Sequence, residues 1–155
     1  MEKVLDHIQI EGKPVEYSGF WLRVAAAIID AIIISIVQAI ITLGFFGTWR
    51  LDTRDIGSQT MSLVFIYYII ILLLNWTYYA GMESSTKQGT LGKMGVGIKV
   101  TDLNGERVSF GQATGRYFGK IISALIFGIG FLMVAFTEKK QGLHDQMAGT
   151  LVVKG

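Results

Sequence analysis

Long uninterrupted apolar runs dominate the pattern of hydrophobic and polar positions along this chain. Residues 24–46 form a run of 23 whose only charged member is Asp30, and residues 63–80 form a second run of 18 with no Asp, Glu, Lys or Arg. Because a helix rises 1.5 Å per residue, each run is about long enough to cross the ~30 Å hydrocarbon core of a bilayer. The pattern predicts two transmembrane helices.

A third apolar run, residues 117–136, has two possible paths. It is long enough for a span, but it carries Lys120 near its start and three breaks at Gly119, Gly128 and Gly130. A re-entrant segment must be buried in protein or line water, since lipid cannot satisfy free backbone groups. The glycines at 128 and 130 would then belong to a cavity or an oligomer interface; alternatively they only allow close helix packing.

The distribution of basic residues favours the re-entrant path. Short cytoplasmic flanks collect Lys and Arg, whereas acidic residues count little. A re-entrant third segment places 12 of the 14 basic residues on one side and only Arg50 and Arg54 on the other. We therefore predict an inner (cytoplasmic) membrane protein with several membrane segments, a cytoplasmic N-terminus and a cytoplasmic central loop.

Two stretches have a soluble character. Residues 1–16 form a polar lead-in without the basic start of a signal peptide. Residues 81–116 mix charges with glycines, and Asn104-Gly105 lies there between two β-prone stretches, which is a strong hairpin signal because both residues tolerate positive φ. The predicted fold is an all-α membrane protein of two transmembrane helices and a third apolar segment, with a small cytoplasmic β-hairpin.

Composition agrees with a bilayer as the solvent. Hydrophobic residues make up 51% of the chain and charged residues 17%, with a mean hydropathy of +0.47. A net charge of +2 with no basic stripe argues against a nucleic-acid partner, and the absence of cysteine excludes a disulfide framework or a thiolate nucleophile. No nucleophile and base set or metal-ligand spacing stands out, so we expect no enzyme, no metal and no cofactor.

The residues most able to carry chemistry lie in the first span. Arg23 and Asp30 are seven residues apart, so they share one helix face, with Asp30 about 10 Å deeper in the membrane. An unpaired carboxylate at that depth is costly, and it must face a cation, face a water-filled cavity or be protonated. The alternative is an internal ion pair or interhelical hydrogen bond that only fixes packing.

Several other residues are auxiliary candidates. Asn75, Tyr79 and Glu83 recur every four residues on one face of the second span, which can meet Asp30 across the bundle. The segment QGTLGKMGVG fails as a phosphate loop, because two residues instead of four separate its first glycine from Gly-Lys, and Met94 follows instead of Ser or Thr. Its glycines are better explained as turns than as an anion or lipid-headgroup site built from backbone N–H groups and Lys93.

The C-terminal region contains an adjacent histidine and aspartate, His144 and Asp145. Such a pair can shuttle a proton or, with a further ligand, bind a metal. Two adjacent ligands are weak support for a metal site. We expect Asp145 instead to pair with Arg23 or with a loop lysine where the chain folds back.

Together these residues resemble the RDD family of bacterial membrane proteins, named for one arginine and two aspartates. Arg23 and Asp30 in GFWLRVAAAIID match the first two, and Asp145 in GLHDQMAGTLVV matches the second aspartate. The stretch GTLGKMGVGIKVTDLNGE and Arg116 also look like that family. The resemblance implies a membrane domain over residues 17–153 and, in general terms, transport of unidentified ligands, with sodium/proton antiport proposed for some members.

Two functional hypotheses follow for the chain. The first is transport of a cation, a proton or a small solute, with Asp30 as the titrating or ion-binding carboxylate and with a homo-oligomer or a partner membrane protein enclosing the path. The second is a structural or regulatory membrane subunit in which Arg23, Asp30 and Asp145 stabilise the fold. The bilayer is the expected partner in both, with a monovalent cation or proton as the possible ligand of the first.

Overall fold

Two long helices form the apolar part of the molecule, which we describe from a computed structural model. Residues 9–10, 13–47, 58–126 and 128–155 are described; most of the predicted polar tail and the loop with Arg50 and Arg54 lie outside these ranges. Helix α1 runs over Phe20–Phe46 and helix α2 over Ser58–Ser84, after a short antiparallel pair of strands, β1 (Gln9–Ile10) and β2 (Lys13–Pro14). Both helices are long and apolar enough to cross a membrane, which confirms the two predicted spans.

The two long helices touch each other sparingly. In each, only 11% of the most apolar 18-residue window is buried inside the protein. Near the end of α1 the Thr42 Oγ1 and the Tyr67 hydroxyl of α2 lie 2.8 Å apart, and Gly47 ends the helix in the left-handed conformation with φ +66°. The remaining apolar surface of both helices is available to lipid or to another membrane helix.

The predicted antiparallel β element is present, but its pairing differs from the prediction. Strand β3 (Ile98–Asp102) pairs with β4 (Thr150–Lys154), and Ile98 lies opposite Lys154. The turn at Asn104-Gly105 does form, yet the returning chain makes a single bridge, Thr101 to Arg107. Its second strand is cut short because the capping box of Ser109 and Gln112 starts the next helix immediately afterwards.

The sheet also holds the entry to α1. The Ser18 N–H donates to Val152 O at 2.8 Å, and the Lys154 N–H donates to Glu16 O at 2.9 Å. The core beneath the sheet joins α1, α2 and helix α4 (Phe110–Leu125) through buried small and β-branched side chains: Ala26, Ala80, Ile98, Val100, Val108, Ala113 and Val152. The chain segment before the first long helix is therefore fixed to the same sheet as residues 150–154.

The third apolar run is bent rather than straight. Helix α4 (Phe110–Leu125) and the short helix α5 (Ile129–Leu132), which continues as a 3₁₀ turn over Met133–Ala135, meet at an angle of 115°. Gly128 permits this bend with φ +75°. A Cβ at Gly130 would lie 2.6 Å from Ser123 Oγ, so this glycine allows α5 to fold back against α4.

After the bend, the chain returns to the elements that precede and form α4. Helix α3 (Leu91–Gly95) and β3 precede α4, while helix α6 (Leu143–Ala148) and β4 follow α5. Helix α6 packs on α4 so closely that a Cβ at Gly119 would lie 3.1 Å from the His144 Cα. Both flanks of the third apolar run thus end in one two-stranded sheet.

Candidate functional site

Asp30 is buried and saturated with hydrogen bonds from its own chain. Its Oδ1 accepts from the Tyr78 hydroxyl at 2.7 Å and from the Gly92 N–H at 2.8 Å, and its Oδ2 accepts from the Thr90 hydroxyl at 2.6 Å. The residue is only 1% exposed. The carboxylate therefore joins α1 to α2 and to the first turn of α3.

The segment that resembles a phosphate loop supplies two of these donors. Thr90 caps α3, and Gly92 lies in its first turn, against the Ala26 carbonyl of α1. A Cβ at Gly92 would lie 2.8 Å from the Asp30 Cγ, so only glycine allows this approach. Gly97, with φ +69°, does serve a turn, but Gly92 is required for helix contact, and the anion that its N–H binds is Asp30 itself.

A second buried cluster surrounds Glu83, near the end of α2. Glu83 forms a salt bridge with Lys93 of α3, and its carboxylate lies 3.3 Å from Lys120 Nζ and 3.5 Å from Arg116 Nε of α4. Glu83 is 1% exposed and Arg116 2%. Lys120 also lies 4.5 Å from the centre of the Tyr79 ring. One carboxylate thus faces three cations from two other helices.

Asp145 forms the other negative centre of this cluster. It is ion-paired with Arg23 of α1, and its Oδ1 lies 3.0 Å from Arg116 Nη2. Its Oδ2 accepts from the Gly142 N–H at 3.0 Å, and Arg23 Nη2 also donates to Lys140 O at 2.5 Å. Arg116 therefore bridges the two carboxylates, and the expected pairing of Asp145 with Arg23 is present.

Burial and charge set the protonation of the groups outside the long helices. Burial lowers the pKa of Lys93 to about 7, although Glu83 opposes that shift. Burial likewise lowers the pKa of His144 to about 3, which keeps its ring neutral. Burial alone would raise the pKa of Asp145, but Arg116 and Arg23 hold it below its usual range.

The cluster carries more positive than negative charge. Four basic side chains, Arg23, Lys93, Arg116 and Lys120, face two carboxylates, and positive charge stays in excess even with Lys93 half protonated near pH 7. Among the described residues, four buried polar atoms lack a hydrogen-bond partner: Arg116 Nε and Nη1, His144 Nδ1 and Asp145 Oδ1. Arg116 Nε and Asp145 Oδ1 lie in the ion pairs of Arg116 with Glu83 and Asp145, and the Nδ1 of the neutral His144 ring is an acceptor because its Nε2 faces Asp145. Arg116 Nη1 is therefore the buried donor with an unused capacity to bind an acceptor.

A cavity of about 450 Å³ adjoins this cluster, and we call it the basic cavity. All four cations line it, together with Tyr79 and His144 and with one carboxylate, the fully hydrogen-bonded Asp30. The rest of the lining is apolar, from α1, α5 and the 3₁₀ turn: Phe20, Val24, Ala26, Ala27, Ile28, Ala31, Phe131 and Val134. Three of these residues both line the cavity and are exposed at the surface: Ala27, Ile28 and Ala31. The mouth of the cavity therefore lies along α1.

The proposed set of Arg23, Asp30 and Asp145 is divided between two places. Arg23 and Asp145 share the charged cluster, whereas the hydrogen-bond partners of Asp30 in the described part of the chain are Tyr78, Thr90 and Gly92. The predicted face of Asn75, Tyr79 and Glu83 does not supply them. Asn75 Nδ2 donates at 2.8 Å to Ile71 O of its own helix, away from the cluster.

The other auxiliary residues do belong to the site. Glu83, Lys93, Arg116 and His144 all take part in the cluster or line its cavity. Lys120 also belongs to the cluster, and the sequence feature that marks it is a charge within an apolar run. Tyr78 and Thr90 carry no such signal in the sequence, because a tyrosine in a span and a threonine after a glycine are common. Within the described ranges, no group of three His, Asp or Glu side chains is arranged to hold a metal ion.

Comparison with known proteins agrees with the resemblance. The model of the RDD family matches residues 17–149. The uncharacterized protein YxaI of Bacillus subtilis (strain 168) is 42% identical over 146 residues, covering 88% of this chain and 96% of its own length. The uncharacterized membrane protein YteJ of the same organism is 34% identical over 143 residues, covering 88% and 80%.

A more distant relative comes from another bacterium. The uncharacterized protein RP437 of Rickettsia prowazekii (strain Madrid E) is 33% identical over 113 residues, covering 72% of this chain and 56% of its own length. No solved structure matches the chain significantly. With the family model matching most of the sequence and two membrane-length apolar helices present, this chain is a membrane protein of the RDD family.

Proposed function

We propose that this protein transports a small anionic solute, without enzymatic chemistry, and that the basic cavity is its solute site. The carrying observation is the charge around that cavity. Four cations line it, and the one lining carboxylate, Asp30, already accepts hydrogen bonds from three donors. Arg116 Nη1, buried and without a partner among the described residues, is available to bind an acceptor.

The same geometry disfavours a cation as the solute. A cation on Asp30 would have to displace the Tyr78 or Thr90 hydroxyl or the Gly92 N–H, all of which point hydrogen atoms at the carboxylate. It would also meet the positive charges of Lys93 and the neighbouring basic side chains. Of the transport hypotheses, a solute of negative charge therefore agrees best with the site.

The sheet supports a membrane topology of two crossings in the inner membrane. Since β3 and β4 pair on either side of the third apolar run, and Ser18 before α1 bonds to Val152, these segments lie on one side of the bilayer. The third run then enters the membrane and returns to the same side, and the distribution of Lys and Arg places the sheet and the N-terminus in the cytoplasm.

Cysteine labelling tests this topology. Single cysteines at Lys87 and Lys139 of this cysteine-free chain should both react with an impermeant maleimide in inside-out vesicles only. Labelling of the two cysteines from opposite sides would contradict this topology.

Self-association would complete a path across the bilayer. The 18-residue apolar windows of α1 and α2 are each only 11% buried within one chain, and two such helices enclose little volume. We therefore propose a homo-oligomer, or a complex with a partner membrane protein, as the transporting form.

Flux in proteoliposomes tests the proposal. Three probes cover the anion classes: radiolabelled inorganic phosphate, radiolabelled lactate, and fluorescently labelled phosphatidylglycerol followed by dithionite quenching. At least one probe should cross faster than in protein-free vesicles. Ala27→Phe, which narrows the mouth of the cavity, should slow it, whereas Ala39→Phe on the exposed surface of α1 outside the cavity should not.

Two outcomes would contradict anion transport. The first is that no probe crosses faster than in protein-free vesicles, and the second is that the Ala27 and Ala39 variants behave alike. Sodium-driven proton movement that Asp30→Asn abolishes would restore the cation hypothesis instead. The assay therefore separates anion transport, cation transport and the absence of transport.

A structural or regulatory subunit is the second candidate, because the buried carboxylates of the described residues are engaged by donors or cations of their own chain: Asp30, Glu83 and Asp145. In that case none of the three probes crosses. Asp30→Asn then lowers the Tm by the same amount with and without each probe. A probe that raises the Tm of the wild type but not that of the Ala27→Phe variant would count against it.

A further inference from the structure

The walls of the basic cavity divide into a charged part and an apolar part. The charged part is formed by Arg23 of α1, Lys93 of α3 and Arg116 and Lys120 of α4. The apolar part is formed by Ala27 and Ala31 of α1 with Phe131 and Val134, and the carboxylate beside it, Asp30, is occupied by its three hydrogen-bond donors. Because α1 rises 1.5 Å per residue, Ala31 lies about 12 Å deeper along the helix than Arg23.

The mouth of the cavity opens along an exposed face of α1. Ala27, Ile28 and Ala31 both line the cavity and remain exposed, Ile28 by 56%. They belong to a helix of membrane length, in the turns that follow Arg23. A ligand that enters past these residues comes sideways from the membrane, with its polar end at the level of the headgroups.

We infer that the ligand of the basic cavity is an anionic amphiphile, an acidic headgroup carried on a hydrocarbon chain. The headgroup binds at Arg116 and Lys120, and the start of the chain lies along Ala27 and Ala31. This inference rests on the proposed function for its site and adds the class of ligand. Two sources share this chemistry, an anionic phospholipid of the bilayer and a free fatty acid.

Arg116 and Lys120 suit the headgroup for different reasons. The Arg116 guanidinium is 2% exposed and is held by Glu83 and Asp145, so it is preorganised, while its Nη1 lacks a partner in the described part of the chain. Lys120 keeps a side-chain exposure of 24% and can turn toward a ligand without leaving Glu83 unpaired, because Lys93 remains. A fixed donor and an adaptable one thus face the same space.

Thermal unfolding in nanodiscs tests the inference. We compare discs of pure phosphatidylcholine with discs in which a fifth of the lipid is phosphatidylglycerol, and add oleate or glycerol phosphate to the pure discs. Phosphatidylglycerol or oleate should raise the wild-type Tm by about 5 °C or more, since a ligand that binds only the folded state stabilises it. The lipid that does so identifies the source, and glycerol phosphate, which has no chain, should have little effect.

Two matched pairs of variants locate the binding. Lys120→Gln should reduce the shift at least twofold and Ala27→Phe should abolish it, whereas Lys87→Gln and Ala39→Phe, both at exposed positions outside the cavity, should keep it. Ala27 is exposed, so its substitution leaves the folded core intact even if Lys120→Gln does not fold.

The results separate this inference from the proposed transport. Equal stabilisation by glycerol phosphate, equal shifts in all four variants, or no shift with either amphiphile would overturn the inference. Transport of phosphate or lactate alone would leave the proposed function standing and remove the amphiphile. Binding of phosphatidylglycerol without movement of any probe would support the amphiphile as ligand and contradict the proposed transport.

Discussion

Replacing Gly92 by alanine should destabilise the protein far more than the same change at Gly115. At Gly92 the added Cβ would overlap the Ala26 carbonyl oxygen and lie 2.8 Å from Asp30 Cγ, so α3 must move away from α1. That movement breaks the hydrogen bond from Gly92 N–H to the Asp30 carboxylate. At Gly115, within α4, no heavy atom lies within 4 Å of the added Cβ.

The size of the effect follows from the two interactions involved. A hydrogen bond to a charged group contributes about 1.5–3 kcal/mol, and overpacking a tight contact costs about 1–3 kcal/mol, so Gly92→Ala should cost roughly 3–5 kcal/mol. For a chain of this size the Tm falls by about 2–4 °C per kcal/mol, which gives roughly 6–20 °C. Gly115→Ala should be neutral or stabilise by up to ~1 kcal/mol, because alanine favours the helix.

Thermal unfolding in detergent, followed by tryptophan fluorescence, measures both variants. The double variant of Gly92→Ala and Asp30→Asn should lose less unfolding free energy than the two single variants lose together, because both substitutions act on one hydrogen-bonded contact. Equal Tm values for the Gly92 and Gly115 variants, or full additivity with Asp30→Asn, would refute the idea that Asp30 holds α3 on α1.

Three further predictions concern the charged cluster and the bend. Glu83→Gln leaves two buried cations, Lys93 and Arg116, and the half-buried Lys120 with less counter-charge and should cost about 3–5 kcal/mol of unfolding free energy, whereas Lys154→Gln, in an exposed pair, should cost under ~1 kcal/mol in the same melts. Because His144 has a folded pKa of about 3, the unfolded state binds its proton first, so its contribution is complete above about pH 6.5 and is lost toward pH 3. His144→Asn should flatten the decline of Tm between pH 6.5 and 4.5, and an unchanged slope would show that this ring is not responsible. Gly130→Ala should lower the Tm by forcing Ser123 away, and Ser123→Gly should restore part of it; no rescue would argue against the close packing of α5 on α4.

The sequence predicted the features that depend on hydropathy alone. The two long helices follow from their apolar runs, because the cost of burying charge in lipid leaves few alternatives. The helices are longer than the predicted runs at 24–46 and 63–80, since helical hydrogen bonding continues into the polar flanks. The path of the third run stayed open, because glycines serve both a bend and close packing.

Contacts between segments distant in the sequence are harder to predict from the sequence. The pairing of β3 with β4 joins residues about fifty positions apart, and the local turn at Asn104-Gly105 favoured the nearer partner. Asp30 was identified as a costly buried charge, but its donors come from Tyr78 and from α3 through packing that no local pattern encodes. Charge alone predicts that Asp145 pairs with Arg23 or with a loop lysine, and the structure shows Arg23, together with Arg116.

The long sequence separation of the Arg23 and Asp145 ion pair has a consequence for biogenesis. The two residues are 122 positions apart, so a ribosome adding roughly 5–20 residues per second needs about 6–24 s to reach Asp145 after Arg23. Lys140, whose carbonyl also accepts from Arg23, emerges only slightly earlier. Until then, the Ser18 carbonyl, 3.4 Å from Arg23 Nε in the finished protein, is the one of these acceptors that has already been synthesised. Since an unpaired guanidinium is costly inside the membrane, the burial of Arg23 is completed only when α6 docks and supplies the Asp145 carboxylate.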